Sequence, residues 1–117
     1  MAEPRILPES ELQSEIATLD GWELRDGRLR KQFTFRTFLR AMAFVNSVAY
    51  VAESIGHHPD ITINYNKVTL RLITHSEGTL TDRDFGLARQ IEQRLTTKLM
   101  IQPEGDGPDP GAQGRVS

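Results

Sequence analysis

The stretch that decides the fold is AESIGHHPDITINYNKVTLRLITHSEG, residues 52–78. In its centre, apolar side chains alternate with polar ones on both sides of a polar dipeptide. The apolar positions are Ile61, Ile63, Tyr65, Val68, Leu70 and Leu72. A period of two is typical of strands that bury one face. The pattern therefore predicts an antiparallel hairpin with Asn66-Lys67 as its two-residue turn.

The same stretch contains all three histidines of the chain. In the register set by the predicted turn, every apolar residue faces an apolar residue, and continuing outward brings His58 opposite His75 on the polar face. Cross-strand neighbours have Cβ atoms roughly 5 Å apart. Pro59 lacks an N–H and loosens the ladder there. With His57 next in the chain, the sequence predicts three imidazoles together at one end of a sheet.

Clustered imidazoles on a polar face indicate proton-transfer chemistry. A neutral histidine both donates and accepts a hydrogen bond, and it exchanges protons near neutral pH. Elimination of water needs both abilities, because one group protonates the leaving hydroxyl while another removes a proton from the adjacent atom. Glu53 precedes His57 by four residues, so one helical turn can bring its carboxylate towards the imidazoles and fix a tautomer.

The flanking segments predict three helices and a second hairpin. Leu12, Ile16 and Leu19 have helical spacing, and Asp26-Gly27 is a strong hairpin signal because such turns need positive φ. A long apolar helix follows and is expected to stop at Gly56. Its predicted buried stripe is Phe38, Met42, Val45, Ala49 and Ala52, widened by Phe44, Val48, Val51 and Ile55. A last helix carries Leu87, Ile91, Leu95 and Leu99 in one line.

The central helix is apolar on more than one side, so we expect it to contact the sheet and also a second subunit. Along the first hairpin, one face is predicted to be apolar with Lys31 as the exception. The members of that face are Trp22, Leu24, Leu29, Phe33 and Phe35.

The length and composition limit the classes of protein to which this chain can belong. The 117 residues suit one domain, expected over residues 1–101, followed by a Pro/Gly-rich tail over 102–117 that we expect to be disordered. There is no cysteine, which excludes a thiolate nucleophile and a disulfide framework. The net charge of −2 gives no reason to expect nucleic acid or a membrane as a partner. No apolar run approaches ~20 residues, and the start lacks a secretory signal, so a cytoplasmic protein is predicted.

Several motifs in fixed order resemble those of the pterin-4a-carbinolamine dehydratases. They are ESIGHHP (53–59), YNKV (65–68), THSE (74–77) and LTDRD (80–84), with GW (21–22) and KQFTF (31–35) as weaker matches. The similarity covers roughly residues 10 to 100. It implies an α+β fold in the order α-ββ-α-ββ-α: a four-stranded antiparallel sheet with three helices on one face, assembled as a homodimer or homotetramer.

The resemblance also implies an activity. These lyases remove water from 4a-hydroxytetrahydropterins to give quinonoid dihydropterin, which recycles the cofactor of aromatic amino acid hydroxylases, and they use no metal or cofactor. It implies that His57, His58 and His75 line the pterin pocket as catalytic acids and bases. Our hypothesis for their roles is that His57 and His75 are the main proton-transfer groups, and that His58 binds and orients the pterin and shares the acid–base work. Glu53 and Asp84 would support the imidazoles. The residues expected to contact substrate are His57, His58, Pro59, Thr74, His75, Ser76 and Glu77.

Three alternatives stay open at this point. Asp84 could serve only as a helix cap, because Thr81 and Asp84 have the spacing of a capping box. A metal site could use the histidines with Asp60 or Glu53, although adjacent residues of an extended chain point apart. The chain could also be a protein-interaction module, since some animal members of the family assist dimerisation of a transcription factor. An intact histidine set is something that binding alone would not require.

Overall fold

A computed structural model describes residues 3–96. The elements are α1 (Glu9–Ala17), β1 (Glu23–Arg25), β2 (Arg28–Thr34), α2 (Phe38–Ile55), β3 (Asp60–Asn64), β4 (Lys67–Leu72) and α3 (Asp82–Ile91), which a π-helical turn extends over Glu92–Thr96. The strands form one antiparallel sheet in the order β1-β2-β4-β3. The predicted α+β fold is confirmed. Leu99 and the predicted tail over 102–117 lie outside the described residues.

One face of the sheet and the helices enclose a single apolar core. The largest of its fully buried apolar side chains are Leu29, Phe35, Phe44, Val48, Val68, Leu70, Leu72, Phe85, Leu87 and Ile91. Removing one Leu or Phe side chain from water contributes about 1.5–3 kcal/mol. The opposite face of the sheet is polar, since it carries the alternate residues of each strand. No helix within residues 3–96 is long and apolar enough to cross a membrane.

The first hairpin has the predicted turn. Asp26 and Gly27 have φ of 53° and 75°, and Arg25 pairs with Arg28 around them. Leu24 lies on the expected face, directly opposite the buried Leu29, but at the sheet edge it remains 37% exposed.

Lys31, the polar exception on the apolar face, is used as an anchor. Its Nζ donates to Glu92 Oε2 at 2.7 Å and to the Asp20 carbonyl at 3.0 Å. Trp22 Nε1 donates to the same Glu92 oxygen at 2.8 Å. The Lys31 ammonium also lies 4.7 Å from the centroid of the Phe33 ring, a cation–π distance. The half-buried charge therefore ties β2 to the segment after α1 and to the end of the last helix.

The predicted register of the second hairpin was wrong by two residues. Asn64 pairs with Lys67, so the turn is Tyr65-Asn66 rather than Asn66-Lys67, and Tyr65 has φ of 55°. Asn66 explains the shift: its Nδ2 donates to the Phe35 carbonyl at 2.6 Å and its own carbonyl accepts from Phe35 N at 2.9 Å. A shift of two residues keeps the same side chains inward, so the apolar pattern could not detect it.

The buried face of α2 is rotated around the helix axis relative to the predicted stripe. The predicted stop at Gly56 is confirmed, since Gly56 ends the helix with φ of 77°. At its start, Thr37 Oγ1 accepts from Arg40 N at 3.1 Å. The buried residues are Ala41, Phe44, Val48, Val51 and Ala52. Phe38 is 47% exposed and Ala49 is exposed, because the sheet meets the side that the sequence identified only as a widening of the stripe.

Candidate active site

A cavity of about 210 Å³ at one end of the sheet is lined by all three histidines. Its lining residues are Gly56, His57, His58, Ile73, Thr74, His75, Ser76 and Arg83. The prediction that the imidazoles lie together is confirmed. The predicted pairing of His58 with His75 was wrong, because the strand ladder stops at Asp60 and Leu72, and both histidines lie beyond it.

Two backbone features deliver the histidines to this cavity. His57 and His58 follow the left-handed Gly56, where α2 stops and the chain turns towards β3. His75 lies in a tight turn after β4. That turn is closed by Thr74 N donating to the Thr79 carbonyl at 3.1 Å and by Gly78 N donating to the Thr74 carbonyl at 2.9 Å. The cavity is therefore built from helix and strand ends held by main-chain hydrogen bonds.

His57 is bonded to a fully buried carboxylate. Its Nε2 lies 2.7 Å from Asp84 Oδ1, and Asp84 has no exposed surface. His57 is 9% exposed. Asp84 belongs to the first turn of α3, so the start of this helix carries the carboxylate under the imidazole.

The second oxygen of Asp84 accepts two further hydrogen bonds. Thr74 Oγ1 donates to Oδ2 at 2.8 Å, and Thr81 N donates to the same atom at 2.9 Å. Thr81 completes a capping box at the start of α3. The capping role of Asp84 is confirmed, and the same carboxylate also contacts His57.

Only one assignment of donors and acceptors fits the hydroxyl groups around Asp84. Arg83 N donates to Thr81 Oγ1 at 3.2 Å, and the two threonine hydroxyls lie 2.7 Å apart. Because the Thr74 proton is directed to Asp84, the Thr81 hydroxyl must donate to Thr74 Oγ1. An ionised Asp84 then accepts from Nε2–H of His57, which leaves Nδ1 as the imidazole nitrogen free to exchange a proton.

His58 forms a different pair with Glu53. Its Nε2 lies 2.7 Å from Glu53 Oε2, but the two side chains are 60% and 76% exposed. The sequence placed Glu53 near the histidines through its distance of four residues from His57, and the structure brings it to His58 instead.

The remaining predicted residues fall into two groups. Thr74 and Ser76 line the cavity, whereas Pro59 and Glu77 are not among its lining residues, and their contact with substrate stays a prediction. Ile73 and Arg83 line the cavity although the sequence did not single them out. Arg83 adjoins Asp84 in the LTDRD motif, and that adjacency is the signal that could have identified it.

The metal alternative finds no support in the arrangement of the side chains. Within residues 3–96, no group of three or more His, Asp or Glu side chains is placed to hold a metal ion. The Nε2 atoms of His57 and His58 are each directed to a carboxylate of their own.

Fold and site together define a class: a small α+β domain with one antiparallel sheet and a histidine-lined cavity at its end. Residues 5–94 match the family described as pterin 4 alpha carbinolamine dehydratase. The chain belongs to this family. The resemblance found in its motifs is thereby confirmed, and with it the class of enzyme, a hydro-lyase.

Two curated relatives are named "Putative pterin-4-alpha-carbinolamine dehydratase". The protein of Trichormus variabilis is 46% identical over 89 residues, which is 76% of this chain and 96% of the relative. The protein of Acidobacterium capsulatum is 48% identical over 84 residues, which is 72% of this chain and 91% of the relative.

Two solved structures share the fold. One is a transcriptional coactivator/pterin dehydratase from Brucella melitensis, with a TM-score of 0.71 and 37% identity over 76% of this chain and 97% of that one. The other is a pterin dehydratase-like protein identified as a RuBisCO assembly factor in the alpha-carboxysome. Its TM-score is 0.50 and its identity 22%, over 62% of this chain and 83% of that one, so the likeness is one of fold alone.

Proposed function

We propose that this protein dehydrates 4a-hydroxytetrahydropterin to quinonoid dihydropterin in the histidine-lined cavity. The observation that carries the proposal is that His57, held by the buried Asp84, shares one cavity with His58 and His75. Membership of the family supplies the substrate class. The cavity supplies groups that can both donate and accept protons at one place.

The reaction needs two proton transfers and no redox step. A protonated imidazole donates to the C4a hydroxyl, the C4a–O bond breaks and water leaves. A neutral imidazole removes the proton from N5, whose electron pair forms the C4a=N5 double bond. We assign these transfers to His57 and His75, and the binding and orientation of the pterin to His58.

The surroundings of His57 suit it to the role of base. Because Asp84 accepts from Nε2–H, the ring is held in one tautomer with Nδ1 as the basic nitrogen. The carboxylate also stabilises the imidazolium that forms once the proton has been taken up. His75 lies in an exposed turn, where it can return protons to solvent between turnovers.

Three alanine variants test the assignment. We expect His57→Ala and His75→Ala to slow dehydration by about 10²–10⁴-fold, the usual contribution of general acid–base groups, and His58→Ala to act mainly on substrate binding. Stopped-flow formation of the quinonoid product from fresh 4a-hydroxytetrahydropterin measures all three. Equal losses below about tenfold, or about 1.4 kcal/mol, would exclude proton transfer by these histidines.

The setting of the reaction follows from the same proposal. The product would return to the pterin cofactor cycle of aromatic amino acid hydroxylases, in the cytoplasm, with no cofactor bound to the dehydratase. The domain would span residues 1–101, with the tail over 102–117 outside it.

A second proposal concerns assembly through α2. Leu39, Ala43, Asn46 and Tyr50 follow helical spacing and are all exposed, with Leu39 at 77% and Tyr50 at 81%. Three of the four residues are apolar, and exposed apolar residues that adjoin on a helix are a typical contact surface. We propose that it serves in a homodimer or homotetramer, and the Brucella relative's description as a coactivator favours the alternative that it binds another protein.

Introducing negative charge into this line of residues tests assembly separately from catalysis. Leu39→Glu with Tyr50→Glu should give monomers by size exclusion with light scattering, while dehydration by the same sample is retained. Unchanged assembly would eliminate this surface as the contact. Asn46→Gln, on the same line but without a change in charge, is the control.

A further inference from the structure

The open face of the sheet carries a second and larger cavity, of about 420 Å³. It is lined by Arg25, Asp26, Arg28, Arg30 and Arg71, and none of these five residues lines the histidine cavity. The arginines come from three neighbouring strands, β1, β2 and β4, and alternate with residues of the core face. Nothing in the proposed dehydration uses this side of the sheet.

The strand register places these arginines in like-charged pairs. Arg25 lies directly opposite Arg28, and Arg30 directly opposite Arg71. Like charges at directly opposite positions of an antiparallel pair destabilise the sheet. Two such pairs side by side break a local rule of sheet formation, and breaks of this kind are expected at functional sites.

Nearby carboxylates neutralise the cluster only in part. Glu23 Oε2 lies 2.8 Å from Arg30 Nη1 and 3.3 Å from Arg25 Nη2, and Asp60 Oδ2 lies 2.9 Å from Arg28 Nη1.

Arg71 has Asp60 directly opposite on β3, but the Asp60 carboxylate contacts Arg28. Arg71 Nη1 donates instead to Thr62 Oγ1 at 3.1 Å, a neutral acceptor. With Asp26 counted, four arginines face three carboxylates, which leaves one positive charge on a chain whose net charge is −2.

We propose that this arginine cluster binds a phosphate group, either as inorganic phosphate or as the phosphate of a small ester. A guanidinium presents a planar fork of donors that matches phosphate oxygens. A tetrahedral phosphate can accept from several forks that arrive from different strands, whereas a carboxylate has two oxygens in one plane. Bound phosphate would also relieve the repulsion between Arg30 and Arg71. The volume is within the range of small-molecule sites, so the rest of an ester has room.

Thermal unfolding in phosphate against chloride at matched ionic strength tests the proposal. We expect the melting temperature of the unmodified protein to rise by roughly 5 °C once phosphate exceeds its dissociation constant about tenfold. Arg71→Gln should lose this response. Arg5→Gln removes an exposed arginine that pairs with Glu11 and should keep the full response.

Calorimetric titration identifies the source of the phosphate. Inorganic phosphate and ribose 5-phosphate are the two probes, and Arg71→Lys keeps the charge without the fork. Tighter binding of the ester identifies an ester ligand, and tighter binding of inorganic phosphate identifies the free ion. Either result should be weakened in Arg71→Lys and lost in Arg71→Gln.

Two outcomes would overturn the proposal: no phosphate-specific response in the unmodified protein, or an equal response in Arg71→Gln. Dehydration by Arg71→Gln should match that of the unmodified protein, so the proposal can fail or succeed independently of the dehydratase function.

Discussion

His57 and His58 are neighbours in the chain, and each holds a carboxylate at 2.7 Å, yet the two pairs have different physical weight. The His57–Asp84 pair is buried and its carboxylate accepts three hydrogen bonds, whereas the His58–Glu53 pair is in solvent. An exposed ion pair contributes about 0–1 kcal/mol. Breaking a buried pair by removing one partner costs about 3–5 kcal/mol. Distance alone therefore does not indicate which pair organises the site.

Among the variants that test the two histidine–carboxylate pairs, Asp84→Asn is expected to have the largest effect. The amide keeps the shape of the side chain but can accept with only one atom, so it cannot serve both Nε2–H of His57 and the donors of Thr74 and Thr81. We expect the dehydration rate to fall by about 10²–10³-fold, measured as kcat and KM separately by stopped flow. Asp82→Asn, an exposed carboxylate in the same turn of α3, is the matched control. Equal rates in the two variants would mean that the buried pair does not organise catalysis.

Thr74→Val comes next in size. Valine has nearly the same shape, but it removes the hydroxyl that donates to Asp84 and accepts from Thr81. We expect the free energy of unfolding to fall by about 1–3 kcal/mol, measured by urea denaturation. Thr79→Val, a half-buried threonine in the same turn, should cost less. If the two variants are equally stable, the hydroxyl chain does not support the carboxylate.

Glu53→Gln is expected to have the smallest effect. Its partner His58 is exposed, so the change in unfolding free energy should stay below about 1 kcal/mol and should disappear in 1 M salt, where the screening length is about 3 Å. Dehydration should change by less than about tenfold. A larger loss, with stability unchanged, would show that Glu53 acts on the substrate or on the charge of His58 and would reverse the ranking of the two pairs.

The same contrast explains what could be predicted from the sequence. Alternating strands, the Asp26-Gly27 turn, the helix stop at Gly56 and the gathering of the histidines all follow from local patterns. The register of the second hairpin does not, because Asn66 is fixed by Phe35, a residue more than thirty positions earlier. Local periodicity contains no information on such a contact.

Partner choice at the site was likewise beyond sequence reasoning. The spacing of Glu53 from His57 indicated proximity, but burial at the end of α2 directs His57 to Asp84 and leaves His58 to Glu53. The sequence identified the apolar residues of α2, but which of them face the sheet depends on packing. Sequence patterns thus predicted which residues belong to the site, and tertiary contacts determined which histidine pairs with which carboxylate.

The last helix is secured at both ends, by Asp84 below His57 and by Glu92 against Lys31 and Trp22. Each residue of a helix turns it by about 100°. Adding one residue between these two carboxylates would rotate one of them out of reach, so an insertion in this segment should break one of the two contacts. The number of residues between Asp84 and Glu92 therefore couples the carboxylate that holds His57 to the contact with Lys31 and Trp22.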